Sequence, residues 1–64
     1  MDRETIMEIQ AAGIQLEEKA IELRKLVEQA VRQPELTTKH SWVNEVGSKL
    51  RAIRHDEIFI DTRI

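Results

Sequence analysis

A chain of 64 residues with a formal net charge of −2 is long enough for one small domain but too short for a large hydrophobic core. It has no cysteine, so disulfides and thiolate metal sites are excluded, and oligomerisation remains as the usual way to stabilise so small a fold. The mixed charge argues against binding to nucleic acid or membranes through overall charge, and neither a signal peptide nor a membrane-spanning run is recognisable. We therefore expect a soluble cytoplasmic protein.

A heptad pattern predicts one long helix over about residues 3–33. Asp2 is placed to cap its first turn, and Gln33-Pro34 ends it, because proline lacks the amide hydrogen that a helix interior needs. Apolar and small residues recur at alternating steps of three and four, as at the a and d positions of a coiled coil. These residues are Ile6, Ile9, Gly13, Leu16, Ala20, Leu23, Val27 and Ala30.

Helix 1 carries a second apolar line, formed by Met7, Ile14 and Ile21, which predicts that more than one partner helix covers it. Gly13 and Ala20 lie on the first line. Glycine inside a helix costs about 1 kcal/mol relative to alanine, so its use there needs a reason. We interpret it as a notch for a facing helix; a merely tolerated glycine and a notch for a ligand are the alternatives.

A second helix is predicted over about residues 38–57, capped by Thr37, Thr38 or Ser41. It repeats the three-four spacing, and the tail 58–64 is either a frayed helix end or an extended segment that docks on a neighbour. Two long helices and a short connection predict an all-α antiparallel hairpin, one domain over residues 1–64, that assembles into an oligomeric helical bundle. The expected oligomer interface is Ile6, Ile9, Gly13, Leu16, Ala20, Leu23, Val27, Val46, Leu50, Ile53 and Phe59.

No pattern of residues indicates an enzyme, a cofactor or a metal. Ser41 lies beside His40, but neighbours on a helix do not face each other, and a cap is the simpler role for this serine. Three glutamates of helix 1 lack the histidine three residues later that helical di-metal sites use, so they indicate a solvated face: Glu17, Glu18 and Glu22.

The candidate ligand-binding residues are Trp42, Lys49, Arg51, Arg54 and His55. The two arginines and the histidine are three and four residues apart and share a helix face, flanked by the lysine. Such a face binds a phosphate, an acidic partner or RNA; the alternative is a solubilising face that pairs with the acidic first helix. The tryptophan either closes the core near the connection or offers a stacking surface.

Helix 1 resembles the helix of small phage anti-defence hairpin proteins, the cyclic-nucleotide sponges that block CBASS and Thoeris immunity. That helix carries an Ile-Lys-Ala-x-Gly-x-x-Leu pattern. The pattern is matched here by Ile9, Ala11, Gly13 and Leu16, with Gln10 in place of the lysine.

Helix 2 is similar to the same family in having a tryptophan followed eight residues later by a leucine, Trp42 and Leu50, with Ser48 near a family threonine. The family's Arg-Thr pair, its Met-Ala-Leu ending and a stacking tyrosine are absent from this sequence. The resemblance implies a non-catalytic oligomer that binds cyclic nucleotides between subunits and sequesters an immune signal, in the cytoplasm of a bacterial host.

Two other functions fit the sequence. The first is a small protein-interaction module, a regulator or inhibitor that docks a helix face or the apolar tail on a larger protein. The second is an RNA-binding hairpin resembling Rop in size and architecture, which the acidic net charge makes the least favoured.

Overall fold

The computed structural model describes residues 1–64 and contains two antiparallel helices, α1 (Arg3–Arg32) and α2 (His40–Arg63), and no strand. A short 3-10 turn, Pro34–Thr38, joins them. The chain extends over 48 × 16 × 13 Å, the shape of a single helical hairpin. The predicted all-α hairpin is confirmed. Neither helix has a stretch apolar enough, over the necessary length, to cross a lipid bilayer.

The start of α1 is capped as the sequence predicts. The Asp2 carboxylate accepts a hydrogen bond from the backbone amide of Thr5 at 2.7 Å, and hydrogen bonding with Thr5 lowers the pKa of Asp2. A side-chain oxygen at this position satisfies an amide that has no partner within the helix. At the other end α1 stops at Arg32, one residue before the predicted limit, where Gln33 donates its backbone amide to the Gln29 carbonyl.

The start of α2 differs from the prediction. The Thr37 and Thr38 hydroxyls donate to backbone carbonyls inside the turn Pro34–Thr38, so they close that turn and do not cap a helix. Lys39 precedes α2 without a side-chain cap, and Ser41 lies within its first turn. The predicted caps were therefore wrong, because the threonines find nearer carbonyl partners in the turn.

The end of α2 also differs, because the helix continues to Arg63 and the predicted end at residue 57 was too early. Arg63 Nε lies 3.0 Å from Glu8 Oε2, and the Arg63 guanidinium lies 4.2 Å from the centre of the Phe59 ring. Ile60 is half-buried against α1. These contacts with the start of α1 hold the last turns in helical form, so the tail is neither extended nor separate.

The two helices meet along a line of residues that we call the contact line. One half of it agrees with the predicted heptad positions, including Ile9, Leu16 and Leu23 of α1 and Val46 and Ile53 of α2. The other half is displaced by one residue, which turns the contact by about 100° at each displaced position. The contact line consists of Thr5, Ile9, Ala12, Leu16, Lys19, Leu23, Leu26 and Ala30 of α1, and Trp42, Val46, Lys49, Ile53, Asp56 and Ile60 of α2.

The hairpin has almost no core of its own. Only Ala12 and Asp56 are buried, and no large side chain is fully enclosed. The accessible surface is 5141 Å² for a 7.5 kDa chain. A compact monomer of that mass is expected to expose about 4250 Å². The hairpin therefore exposes about 900 Å² more than a compact monomer of its mass.

Candidate binding surfaces

One side of the hairpin is largely apolar and is interrupted only by Glu57; we call it the open face. Both helices are right-handed and run antiparallel, so the residues that follow the displaced half of the contact line lie on the same side of the hairpin. The ion pairs Glu22–Lys49 and Glu8–Arg63 fix the levels at which the helices face each other. Beginning near the connection, the open face consists of Val27 with Val43, Ala20 with Leu50, Gly13 with Glu57, and Ile6 with Ile64.

The large apolar residues of the open face are exposed. Leu50 is 51% exposed, Ile6 53% and Ile64 82%, although these residues occupy predicted interface or heptad positions. The prediction that Ile6, Ala20, Val27 and Leu50 belong to an oligomer interface is untested by a single hairpin, but none of them lies between α1 and α2. The hairpin itself thus leaves about half of the predicted heptad line without a partner.

The opposite side of the hairpin is polar. Lys49 Nζ lies 2.7 Å from Glu22 Oε2, and their hydrogen bond and mutual attraction lower the pKa of Glu22 and raise that of Lys49. The Glu8–Arg63 pair lies on the same side. Phe59, predicted at the oligomer interface, is half-buried here under the Arg63 guanidinium. The two sides therefore differ in chemistry. The second apolar line predicted on α1, Met7, Ile14 and Ile21, is exposed on the outer side of that helix and is not covered by α2.

A buried charge interrupts the contact line. The Asp56 side chain is about 10% exposed, and its Oδ2 accepts no hydrogen bond. Lys19 Nζ lies 3.9 Å from Oδ2, and the His55 ring lies 3.9 Å from Oδ1 and pairs with it only when protonated. An unsatisfied buried carboxylate is costly unless a cation stays near it, so Lys19 is held at this level of the hairpin.

Two of the five predicted ligand residues face α1. The Trp42 indole Nε1 donates to the Leu26 carbonyl at 3.0 Å, and its ring is half-buried. This agrees with the interpretation that the tryptophan closes the core near the connection, because buried indole groups usually need such a partner. Lys49 is engaged by Glu22 on the polar side. Neither side chain is free to meet a ligand in the hairpin.

The other three, Arg51, Arg54 and His55, are exposed on the outer side of α2. Neither arginine forms an ion pair within the chain. The prediction that they share a face is consistent with their spacing on a continuous helix. The five candidate residues therefore form two separate groups, one packed against α1 and one facing outward.

A groove of about 580 Å³ runs along α2 at the edge of the open face. Arg54 borders it together with Glu57, and its apolar floor comes from Leu50, Ile53 and Ile58. All of these residues lie on one helix, so the groove has a single wall. Sequence reasoning missed Glu57 and Ile58 as groove residues; the available signal was their position three and four residues after Arg54 on the same face.

Gly13 is half-buried, and the space beside its Cα atom is open. A Cβ atom built on it would have no heavy atom within 4 Å. The predicted notch is therefore not filled by the other helix of the same chain. Glu17 and Glu18 are exposed, and no group of acidic or histidine side chains is close enough to hold a metal ion.

Comparison of this chain with protein-family models, with characterised proteins and with solved structures finds no match. The resemblance of α1 to the phage sponge proteins therefore stays a prediction, and any function has to be argued from the surfaces of the hairpin.

Proposed function

We propose that this protein is a non-catalytic binding module that acts as a homo-oligomer and captures a phosphorylated small molecule, such as a cyclic nucleotide, at the groove on α2. The observation that carries the proposal is the position of the unpaired Arg54 beside an apolar floor. A guanidinium pairs with a phosphate, and an apolar surface takes the planar base. The groove of about 580 Å³ has one wall, so a second subunit would have to supply the other side of a site that encloses a ligand.

The groove also contains a group that opposes an anion. Glu57 lies one turn after Arg54 and adds a negative charge at the same border. Its removal should therefore strengthen the binding of an anion, whereas removal of the arginine should weaken it. The opposite signs of these two effects distinguish an anion site from an apolar groove that binds any planar molecule.

The test is native mass spectrometry with a panel of cyclic oligonucleotides and cyclic ADP-ribose isomers. We expect a saturable complex that Arg54→Ala weakens about 10- to 100-fold, as expected for the loss of one charge-assisted hydrogen bond. Glu57→Gln should strengthen it. Arg24→Ala is the matched control, because Arg24 pairs with Glu28 on α1 and lies outside the groove. Equal affinity of wild type and Arg54→Ala would remove the proposed site.

A protein-interaction module is the second candidate, supported by the exposed apolar residues at the end of α2. Ile58 is 51% exposed and Ile64 82%. Removal of residues 58–64 would also delete Ile60 and the Arg63–Glu8 pair, so point changes are the sharper test. This candidate predicts a purified protein partner that Ile58→Asp or Ile64→Asp releases while the hairpin stays folded, and no small ligand in the mass spectrum.

A further inference from the structure

Neither helix of the hairpin covers the open face, and three of its features favour one kind of partner. It combines residues from both helices along the whole length of the hairpin, it is apolar at seven of its eight positions, and its opposite side is polar. We propose that a second copy of this chain packs on it to form a four-helix bundle, in which Leu50 of one copy lies opposite Ala20 of the other and Gly13 leaves room for a longer side chain of the partner.

The first argument is area. The hairpin exposes about 900 Å² more than a compact monomer of its mass. A stable protein interface of standard size buries about 800 Å² on each partner. The surplus of the whole chain is therefore about as large as the surface that one partner copy covers in a stable interface. A small ligand in the groove covers only one part of α2.

The second argument is shape. In a two-fold interface the same patch must fit itself, so a large residue has to meet a small one across the axis. Leu50 lies level with Ala20 in one hairpin. Gly13 lies one heptad nearer the N-terminus of α1, level with Glu57. If the two-fold axis runs along the helices, α2 of one copy faces α1 of the other, so Leu50 comes level with the partner's Ala20, and Gly13 with the partner's Glu57. In this alignment a small residue faces a long one at both levels, and the space beside Gly13, which is open in one hairpin, accepts the partner's side chain.

The proposal also gives the groove its missing wall. Leu50 belongs to both the open face and the groove, so a second copy on the open face would lie along the groove's inner edge and leave Arg54 at the rim. The inference thus deepens the proposed function, which assumes an oligomer. Self-association is measured without any ligand. A protein that self-associates but captures no ligand would leave this inference intact and would overturn only the proposed function.

The test is sedimentation velocity of the ligand-free protein from low to high micromolar concentration, with circular dichroism of each sample. We expect the wild type to sediment as a dimer or a larger multiple of 7.5 kDa. Leu50→Asp should raise the dissociation constant at least about 100-fold, because it places an unpaired charge in the interface. Ser48→Asp adds the same charge to the outer side of the same helix and should leave association unchanged.

A third variant separates a fitted interface from general stickiness. Gly13→Leu adds apolar surface and improves helix propensity, yet it closes the notch. We expect association about 10-fold weaker, whereas stickiness alone would make it stronger. A wild type that is folded and monomeric throughout would overturn the proposal. So would dissociation by Ile14→Asp but not by Leu50→Asp, because Ile14 lies on the outer side of α1.

Discussion

The two helix-interior glycines offer the sharpest test of how the surfaces of this protein are used. Gly13→Ala and Gly47→Ala each replace glycine by the best helix former, which favours the helix by about 1 kcal/mol. A Cβ at Gly13 meets nothing within 4 Å, and a Cβ at Gly47 approaches only the flexible Arg51 side chain at 3.4 Å. Within one hairpin the two changes should therefore be equivalent.

They differ once a second copy packs on the open face. In dilute solution, where the hairpins are separate, each variant should raise the melting temperature by about 4–8 °C, since about 1 kcal/mol has that effect in a domain of this size. In the assembled protein the new methyl at Gly13 enters the space between the copies opposite the partner's Glu57, and overpacking costs about 1–3 kcal/mol. Gly47 lies outside that space. Its variant should keep the full gain at every concentration.

The assay is thermal melting by far-ultraviolet circular dichroism at low and high protein concentration. We expect the two variants to have the same melting temperature in dilute solution. As the protein concentration rises, the melting temperature of Gly13→Ala should fall below that of Gly47→Ala. If the two curves stay together over the whole range, Gly13 is a tolerated glycine and the reasoning about the notch is refuted.

The remaining predictions concern the contact line and its ends. Trp42→Phe, which removes the indole hydrogen bond to α1, should cost about 1 kcal/mol in thermal melting, and unchanged melting would show that the bond contributes nothing. Lys19→Met should lower the free energy of unfolding by about 1–2 kcal/mol, because it leaves the buried Asp56 without its cation. The Lys19→Met/Asp56→Leu double variant should recover this stability. Equal melting temperatures of the single and double variants would show that the pair is not coupled. The lowered pKa values of Asp2 and Glu22 mean that both carboxylates stabilise the fold above their unfolded pKa of about 4 and lose this effect as the pH falls through their folded pKa. Urea titrations between about pH 6 and pH 2 should show this loss, and Asp2→Ala should reduce it; an identical pH dependence in that variant would exclude the cap as a source.

The sequence was sufficient for the two helices, their antiparallel order and the cap at Asp2, because periodicity and capping are local signals. It was insufficient for the end of α2. The β-branched and aromatic residues of the tail favour extended structure. In the structure the tail is helical, and Arg63 pairs with Glu8, 55 positions earlier in the chain, and lies over the ring of Phe59, four positions earlier.

The displaced contact line shows a limit of a different kind. A helix of a hairpin can carry apolar residues toward its own partner helix and on other sides, and a heptad pattern does not say which of them lie between the two helices. The predicted line took apolar or small positions, among them Ile6 and Ala20, but the intramolecular contact uses Thr5 and Lys19 in their place. Only the pairing of Lys19 with Asp56 across the helices, which spacing does not reveal, makes the polar choice acceptable.

The candidate ligand residues were predicted as one group and form two. Spacing on α2 correctly indicated that Arg51, Arg54 and His55 share its outer side, but it carried no information about α1. The positions of Trp42 and Lys49 are set by the Leu26 carbonyl and by Glu22, which lie on the other helix.

The most direct test of the central claim, that a second copy covers the open face, uses the absence of native cysteine. Single-cysteine variants Leu50→Cys and Ser48→Cys report the accessibility of one position each by their rate of alkylation. The account predicts that Leu50→Cys becomes progressively protected as protein concentration rises, while Ser48→Cys reacts at a constant rate. Equal and concentration-independent rates at both positions would contradict it.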